Sequence, residues 1–492
     1  MEKTQLNSTI SSYIDTLYNN QNNTDTPHLR NMFSKEEYNE LLGDIVTVLN
    51  NNPNPDINTC RAYLLEKSGI MELIREFIYE RRLTPGLVVS FGTELNKDTI
   101  ICGNKQEVIY KDGQYIEDPI PMTEDTIFDL ASTSKLFTAI SILKLCEAGL
   151  IDMYEPVRKY EPRFQNLGDI TIYDLLTFSV PVSSVGRIDT AKTNVEAQLR
   201  VFSLTKEENH DPTFPYTDMG CIALKYVIES VSHMPLREFI QEEILDKCHM
   251  NSTFLNVPQD LISKVANENY SSVVDAYGNI ITRYDNVPGT VHDTKTNALG
   301  HSLGIAPGHA GFFSTAKDLQ SLAASLVNYD VLSKDKTLML GQNVVGGLVK
   351  DSNGKYVFNC HHGLLTYVKQ ADPFFLSTVQ PFLSGKSFAC PGFAGTSLCV
   401  DPLNKVSTFI GANRLHNRIH SVSGFQTDKI IKHDNGFREY LSPLTGERKI
   451  YSKTYSKDSA EITKLAMKLA LQYRLLEQVI GQTKEKKLTY HI

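Results

Sequence analysis

Three features that would point away from an ordinary intracellular protein are missing from this chain. Its 492 residues contain no uninterrupted apolar run approaching the roughly 18 residues that a membrane-spanning helix needs. The N-terminus, Met1 to Asn7, has neither the charged nor the apolar region of a secretory signal. The eight cysteines form no Cys-x-x-Cys pair. We therefore expect a cytoplasmic protein without a membrane span, whose cysteines are mostly buried free thiols.

An excess of positive charge is also missing. The formal net charge is −8 and the isoelectric point is about 5.9, which argues against a nucleic-acid partner and against attraction to anionic membranes. The composition, 41% hydrophobic and 22% charged residues, is that of a globular protein with a large core. The length gives a prior of roughly three domains of about 150 residues.

One short segment, Phe128 to Phe137, carries most of the chemistry. Ser132 and Lys135 lie three residues apart, on one helix face and a single turn from each other. A neutral amine at that position can take the hydroxyl proton, which makes a serine nucleophile without a histidine triad. The alternative is that Ser132 only caps the helix.

The bare Ser-x-x-Lys pattern is weak, because it recurs at Ser141/Lys144, Ser203/Lys206, Ser314/Lys317 and Ser352/Lys355. Position on the element separates the five matches. Ser132 follows an apolar segment and opens an apolar-periodic helix, where unpaired backbone N–H groups and the positive end of the dipole meet. Ser141 lies inside that helix, where its hydroxyl would bond to a backbone carbonyl one turn earlier.

Periodicity predicts a helical beginning, strands at both ends of the main body and a helical middle. Residues 1–80 are expected to be a helical extension, with helical patterns at Ile10 to Leu17, Tyr38 to Leu49 and about Arg61 to Arg82. Strands are expected at 87–91 and 99–102 as a hairpin, then at 396–400 and 406–411, followed by an amphipathic helix at 460–480.

This order predicts an α/β (α+β) fold with one antiparallel sheet built from both ends of the chain and flanked by helices. We expect one domain over residues 81–492, with a sheet lobe at 81–131 and 385–492 and a mostly helical lobe at 132–384. Ser132 would then lie at the junction of the two lobes, where pockets usually form.

Two further segments offer groups that such a nucleophile needs. Tyr216, in Tyr216-Thr217-Asp218, could relay a proton if a nearby ammonium lowers the pKa of its phenol; the alternative is a surface turn with an aspartate cap. The segment Cys390 to Thr396 is glycine-rich, and the Phe393 N–H could be an oxyanion donor. Its alternative is a bulged edge strand.

Together these segments resemble the penicillin-binding-protein and class C β-lactamase family of serine hydrolases, most closely its subgroup of penicillin-binding-protein-like esterases and carboxypeptidases. The similarity runs in order along most of residues 83–415. The segments that carry it are Thr126 to Asp152, Ile170 to Thr177, Tyr216 to Asp218, Met250 to Phe254, Val291 to Asp293, Pro307 to Leu319, Gly395 to Leu398, Asp401-Pro402 and Asn413-Arg414.

The resemblance implies a β-lactamase/transpeptidase-like fold and roles for individual residues. Ser132 would be the acylated nucleophile, Lys135 its general base and Tyr216 the partner in proton transfer. The backbone N–H groups of Ser132 and Phe393 would form the oxyanion hole. As a base, Lys135 must be uncharged near neutral pH, which requires a pKa about 3 units below its ordinary value, or roughly 4 kcal/mol.

The chain departs from the family pattern in three places. The third motif, Lys-Thr-Gly or His-x-Gly in the family, reads Cys390-Pro391-Gly392, so that a thiol replaces a cation or imidazole. Phe178 begins the segment where His-Thr-Ser-Gly is usual. Asp218 stands where many members have asparagine, and its charge would favour the ammonium form of Lys135.

The hypothesis is a serine hydrolase that cleaves a small-molecule or peptide-like ester or amide through an acyl-enzyme on Ser132. Its alternatives are an inactive family member that acts as a binding or scaffold protein, and an acyltransferase or peptidase of the same fold. No metal and no other cofactor is expected. The side chains expected to bind substrate are Asp218, His309, Cys390, Gly392 and Arg414.

Overall fold

The computed structural model describes residues 43–48, 51, 56–208, 216–268, 270–283, 287–350, 356–369, 378–480 and 488–491. The patterns predicted at Ile10 to Leu17 and over half of Tyr38 to Leu49 lie outside these ranges, although residues 43–48 are helical as predicted. Among the described helices, none has both the length and the apolar content that crossing a bilayer requires.

The helices predicted at about 61–82 and at 460–480 are present. The first begins at Ile57 and is divided into two helices, and the second begins at Tyr455. Residues 76–80 continue the second helix as a π-helical turn. The helices are α1 Ile57–Lys67, α2 Ile70–Arg75, α3 Lys135–Glu147, α4 Val157–Tyr160, α5 Ile172–Leu176, α6 Asn194–Phe202, α7 Asp218–Ser232, α8 Leu236–Ile240, α9 Thr294–Ala298, α10 Ala316–Val327, α11 Lys334–Leu340 and α12 Tyr455–Ile480.

The strands fall into one large sheet and several small ones. They are β1 Gly86–Thr93, β2 Lys97–Lys111, β3 Gln114–Pro121, β4 Ile127–Asp129, β5 Val182–Ser183, β6 Thr205–Lys206, β7 Ser271–Val274, β8 Ile280–Arg283, β9 Phe313–Thr315, β10 Val345–Lys350, β11 Tyr356–His362, β12 Tyr367–Val368, β13 Phe388–Pro391, β14 Ser397–Asp401, β15 Val406–Ala412, β16 Ile419–Val422, β17 Ile430–Lys432, β18 Arg438–Leu441, β19 Arg448–Ile450 and β20 Leu488–His491.

The large sheet has the order β10-β11-β12-β13-β14-β15-β1-β2-β20, and β3 pairs with β2. The neighbouring pairs are antiparallel except β2 with β20, which is parallel. The predicted hairpin and the late strands are confirmed, and strands from the two ends of the domain meet where β1 pairs with β15.

The assignment of residues 132–384 to a mostly helical lobe is wrong for its last part. Strands β10, β11 and β12 come from residues 345–368 and extend the large sheet beyond β13. Their sequence gave little warning, since β10 contains two glycines, which weaken a strand pattern. Pairing with neighbouring strands therefore stabilises a strand conformation that these residues do not strongly favour by themselves.

Two hydrophobic cores lie on opposite faces of this sheet, because side chains alternate along each strand. Every residue of β1 is buried; Val88 faces the larger core, while Val89 and Phe91 face the other. The larger core contains α3, α7 and α10. The second contains α1, α2 and α12. Helices therefore cover both faces, as predicted.

The helices before residue 80 are anchored to the sheet by a fully buried ion pair. Arg61 of α1 pairs with Asp98 of β2, and both side chains are inaccessible to solvent. Tyr473 of α12 donates a hydrogen bond to Asp98 over 2.7 Å, and its ring lies 5.4 Å from the Arg61 guanidinium carbon. Helices α1 and α12 are thus both bound to the carboxylate of Asp98 in β2.

The cysteine prediction is confirmed for the described residues. All cysteines with described side chains are free thiols, and all of these except Cys146 are buried.

Candidate active site

Ser132 lies on a tight turn between a strand and a helix. Strand β4 pairs with β9, and the turn Ala131–Ser134 leads directly into α3. Asp129 accepts a hydrogen bond from the Ala131 N–H over 2.8 Å, and Ala131 has a φ of 44°, which is unusual for a residue other than glycine. Strain of this kind often accompanies functional sites.

Lys135 and Tyr216 both contact the Ser132 hydroxyl. The Lys135 Nζ donates to Ser132 Oγ over 2.9 Å, and the Tyr216 Oη donates to the same oxygen over 2.8 Å. Lys135 also donates to the His309 carbonyl over 3.1 Å, and its side chain is almost fully buried. The predicted neighbourhood of serine, lysine and tyrosine is therefore present.

Aromatic side chains hold Tyr216 in place. The Phe178 ring centroid lies 5.1 Å from that of Tyr216, and the Tyr367 ring stacks at 6.3 Å. Phe178 is buried and has a φ of 58°. The segment that departs from the family's His-Thr-Ser-Gly thus supplies an apolar support for the phenol. The sequence gave no signal for this role.

Asp218 determines the charge state of Lys135. Its Oδ1 lies 2.8 Å from the Lys135 Nζ. Burial lowers the pKa of Lys135, but the negative charge of Asp218 outweighs burial and holds that pKa well above 10.5. For Asp218, burial acts to raise the pKa, yet Lys135 and other neighbouring cations keep it well below 3.8. The pair is therefore ionised at neutral pH.

The expectation of an uncharged Lys135 is therefore wrong for the free protein. The distance between amine and hydroxyl is as predicted, but the amine is an ammonium group that donates to Ser132. The physical reason is the one foreseen for Asp218, whose carboxylate stabilises the charged form.

Lys295, which sequence reasoning missed, is a second cation of the site. Its Nζ lies 3.1 Å from Asp218 Oδ2 and 3.3 Å from Asp293 Oδ2. Asp293 in turn accepts a hydrogen bond from His309 Nε2 over 2.9 Å. Lys135, Asp218, Lys295, Asp293 and His309 are thus linked in a row by ion pairs and a hydrogen bond.

Three members of this row are of the kind that binds metals. Asp218, Asp293 and His309 bring one potential ligand atom each within 4.8 Å of one another, within the part of the chain that the structure describes. The Lys295 ammonium contacts both carboxylates, so positive charge is already supplied between them. In this structure Asp218, Asp293 and His309 are therefore members of an ion-pair network with Lys295.

The Gly392 turn lies against the nucleophile turn. Thr133 Oγ1 donates to the Cys390 carbonyl over 2.9 Å, and Thr396 Oγ1 donates to the Leu130 carbonyl over 2.9 Å. Among the described residues, the Phe393 N–H has no hydrogen-bond partner, and Phe393 lines the same cavity as Ser132. Such an amide is available to an oxyanion.

Ser132 opens into a cavity of about 650 Å³ between the two lobes. Three of the five residues expected to bind substrate, Asp218, Gly392 and Arg414, line it. The lining residues are Ala131, Ser132, Tyr216, Asp218, Arg283, His292, Asp293, Thr294, Lys295, Ala310, Tyr367, Pro391, Gly392, Phe393, Ala394, Arg414 and Ser456.

Two residues expected to bind substrate do not line the cavity. Cys390 is buried, because strand alternation on β13 turns its side chain into the larger core, and burial raises the pKa of its thiol to about 12. His309 is also buried, and its ring faces Asp293. His309 contributes its carbonyl to Lys135 instead.

Arg414 is a further cation that lines the cavity. Its guanidinium carbon lies 5.0 Å from the Phe393 ring and 5.4 Å from the Tyr455 ring. Within the described residues, Arg414 forms no ion pair, although Glu268 lies close enough to act on its pKa. Its Nη1 donates to Ser456 Oγ over 3.4 Å, and its Nε is buried without a hydrogen-bond partner. A guanidinium in this state can bind an anionic group.

An α/β fold with a serine, a lysine and a tyrosine between its sheet and helical parts is the architecture of penicillin-binding proteins and β-lactamases. The Beta-lactamase family model matches residues 97–424. The chain belongs to this family, and the resemblance seen in the sequence is confirmed.

Individual relatives agree with this placement. A protein of Salmonella paratyphi B named as a putative D-alanyl-D-alanine carboxypeptidase is 25% identical over 337 residues, which cover 63% of this chain and 74% of the relative.

Solved structures show the same fold. D-amino acid amidase from Ochrobactrum anthropi matches with a TM-score of 0.54 at 14% identity, covering 82% of this chain and 98% of the amidase. The octameric penicillin-binding protein homologue from Pyrococcus abyssi matches with a TM-score of 0.50 at 20% identity, covering 71% of this chain and 73% of the homologue.

Proposed function

We propose that the protein is a serine hydrolase that cleaves an ester or amide through an acyl-enzyme on Ser132. The observation that carries this proposal is the position of the Ser132 hydroxyl, 2.9 Å from Lys135 and 2.8 Å from Tyr216 at the wall of a cavity. Family membership and the carboxypeptidase name of the relatives support hydrolysis as the reaction class.

In this proposal the reaction begins when the Ser132 hydroxyl loses its proton to Lys135 in its neutral form. The oxygen attacks the substrate carbonyl, and the N–H groups of Ser132 and Phe393 stabilise the resulting oxyanion. The carbon–leaving group bond then breaks, and the proton passes from Lys135, with Tyr216, to the leaving group. Water then attacks the carbonyl of the acyl-enzyme and gives a proton to Lys135. The bond to Ser132 Oγ breaks, the acid product leaves, and Ser132 takes the proton back to restore its hydroxyl.

The charged state of Lys135 sets the pH dependence of this reaction. Because the free protein holds Lys135 as ammonium, only a small fraction of molecules is competent at neutral pH. The rate of acylation should therefore increase with pH through the alkaline range.

The substrate is proposed to carry an ester or amide near an anionic group. Cys390 supplies no charge, so the family's usual partner for such a group is missing. Arg414 lines the same cavity, forms no ion pair among the described residues, and can take that place.

A fluorophosphonate probe tests the proposal directly. The wild-type protein should gain the mass of one probe molecule on Ser132, measured by intact mass and peptide mapping, and should hydrolyse a p-nitrophenyl ester. Ser132→Ala should abolish both signals. Ser141→Ala is a matched control, since that serine belongs to a chance match of the same motif and bonds to the Phe137 carbonyl inside α3.

A folded wild-type protein that takes up no probe over pH 7–10 would contradict the proposal and favour a binding or scaffold protein. Product analysis with an added amine or alcohol distinguishes hydrolysis from acyl transfer, since a transferase forms the amide or ester of the added acceptor.

A further inference from the structure

The family's third motif normally brings a cation to the site, and this chain has Cys390 there instead. In the structure, a different element, helix α9, places a cation at the site. Lys295 lies in the first turn of α9, whose cap Asp293 accepts the Thr296 N–H over 2.7 Å. Its ammonium is about a quarter exposed and lines the cavity together with Ser132 and Asp218.

The contacts of Lys295 link it to the nucleophile through one carboxylate. Asp218 uses Oδ1 for Lys135, at 2.8 Å, and Oδ2 for Lys295, at 3.1 Å. The positive charge of Lys295 offsets part of the negative charge of Asp218 that stabilises the Lys135 ammonium.

We propose that Lys295 is a positioning residue of this site, which shares Asp218 with Lys135 and thereby makes the neutral, reactive form of Lys135 accessible. This inference rests on the proposed function, because it concerns the proton that Ser132 must give up. Lys295 acts through Asp218 and need not touch the substrate.

The other charged and titratable groups around the two lysines do not replace this effect. Those that face Lys135 are Asp218, Tyr216 and Cys221 from α7 and the residues before it, and Cys390 from β13. Those that face Lys295 are Asp218, Asp293 of its own loop and Asp189 of the turn before α6. All of these are acids or neutral groups. His309 also lies close enough to Asp218 to lower its pKa, and Lys295 is the second lysine in contact with that carboxylate.

The test measures the second-order rate constant of fluorophosphonate labelling from pH 7 to 10 in wild type, Lys295→Gln and Lys295→Arg. Glutamine keeps the ability to donate hydrogen bonds to Asp218 and removes the charge, whereas arginine keeps the charge. We expect Lys295→Gln to label about tenfold more slowly at pH 8, equivalent to about one pH unit in the rising part of the profile. Lys295→Arg should restore most of the rate.

The same substitution in an Asp218→Asn background tests the route of the effect. Because the shared carboxylate is then absent, Lys295→Gln should change the rate much less than it does in the wild-type background. Lys247→Gln, which removes a half-exposed lysine paired with Glu243 away from the site, is the matched control and should leave the profile unchanged.

Equal profiles for wild type and Lys295→Gln, or an equal loss in both backgrounds, would overturn the inference while leaving the proposed function intact. Arginine as slow as glutamine, with thermal unfolding unchanged in both variants, would also overturn it. A wild-type protein that is never labelled would overturn the proposed function and this inference with it. If Lys295→Gln does not fold, Lys295→Met is measured in its place with the same expected loss.

Discussion

At the scale of single residues, the charge on Lys135 is the property on which reactivity depends. Lys135 lies where the Ser-x-x-Lys spacing places it, within hydrogen-bonding distance of Ser132. Its proton is stabilised by Asp218, at 2.8 Å. The proposed nucleophile and its proposed base are thus in contact in the free protein, but both are held in the protonated form.

Replacement of Asp218 by asparagine should release this restraint. The substitution removes the carboxylate from the Lys135 ammonium, so the pKa of Lys135 should fall and more of the amine should be neutral at a given pH. We expect labelling by the fluorophosphonate at pH 7 to increase about tenfold or more, and the rising part of the pH profile to move to lower pH.

The measurement is the labelling rate of Asp218→Asn from pH 6 to 10. Asp169→Asn, which alters a largely exposed aspartate in a surface ion pair, is the control and should behave as wild type. A profile that keeps its position on the pH axis would show that Asp218 does not govern the protonation of Lys135.

At the scale of elements, the site depends on the close approach of the turn after β13 to the turn before α3. A Cβ atom added at Gly392 would lie 2.2 Å from Thr396 Oγ1 and 2.3 Å from the Leu130 carbonyl oxygen. Only glycine permits this contact, because any side chain would force the strand and the nucleophile turn apart.

Gly392→Ala should therefore both destabilise the protein and slow acylation. We expect a loss of about 1–3 kcal/mol in the free energy of unfolding, the usual cost of overpacking a dense contact. The measurements are urea unfolding and the rate of fluorophosphonate labelling below the unfolding transition.

Gly385→Ala is the matched control for this prediction. Gly385 lies in the loop before β13, and a Cβ atom there meets nothing within 4 Å. A Gly392→Ala variant as stable and as reactive as Gly385→Ala would show that the turn accommodates a side chain.

Sequence patterns located most elements of this site but not all elements of the fold. The strands expected at 396–400 and 406–411 are β14 and β15, shifted by at most one residue at each end. Alternation of apolar residues along these two segments predicted the strands. Strands β10 to β12 and the small sheets around residues 271–283 and 419–450 have weaker alternation, so that pairing with distant segments decides their conformation.

At the scale of the whole molecule, the N-terminal helices are part of the body that carries the site. Strand β2, to which Arg61 is anchored through Asp98, is the direct neighbour of β1. Strand β1 in turn pairs with β15, which pairs with β14. The segment predicted as an extension thus contributes to the core on one face of the sheet.

Arg61→Met should cost about 3–5 kcal/mol in the free energy of unfolding, because it leaves the Asp98 carboxylate buried without its cation. Urea unfolding measures the loss. Arg158→Met removes an ion pair whose partner Asp169 is largely exposed, and it should cost no more than about 1 kcal/mol. An equally small loss for Arg61→Met would mean that the N-terminal helices are not anchored by this pair.

The sequence alone identified the family and placed Ser132 and Lys135 one helical turn apart. These features depend on spacing within one or two helical turns and on motifs in a fixed order, which are local properties of the chain. Tyr216 and the Gly392 turn were also identified before the structure placed them at the cavity.

Only the tertiary structure decided the electrostatics of the site. Electrostatic interaction depends on distance in space, and Asp218, Lys295 and Asp293 are brought to Lys135 from α7 and α9 by packing against the sheet. Tertiary structure likewise turned Cys390 and His309 away from the cavity and placed Phe178 behind Tyr216. Spacing along the chain does not contain these distances.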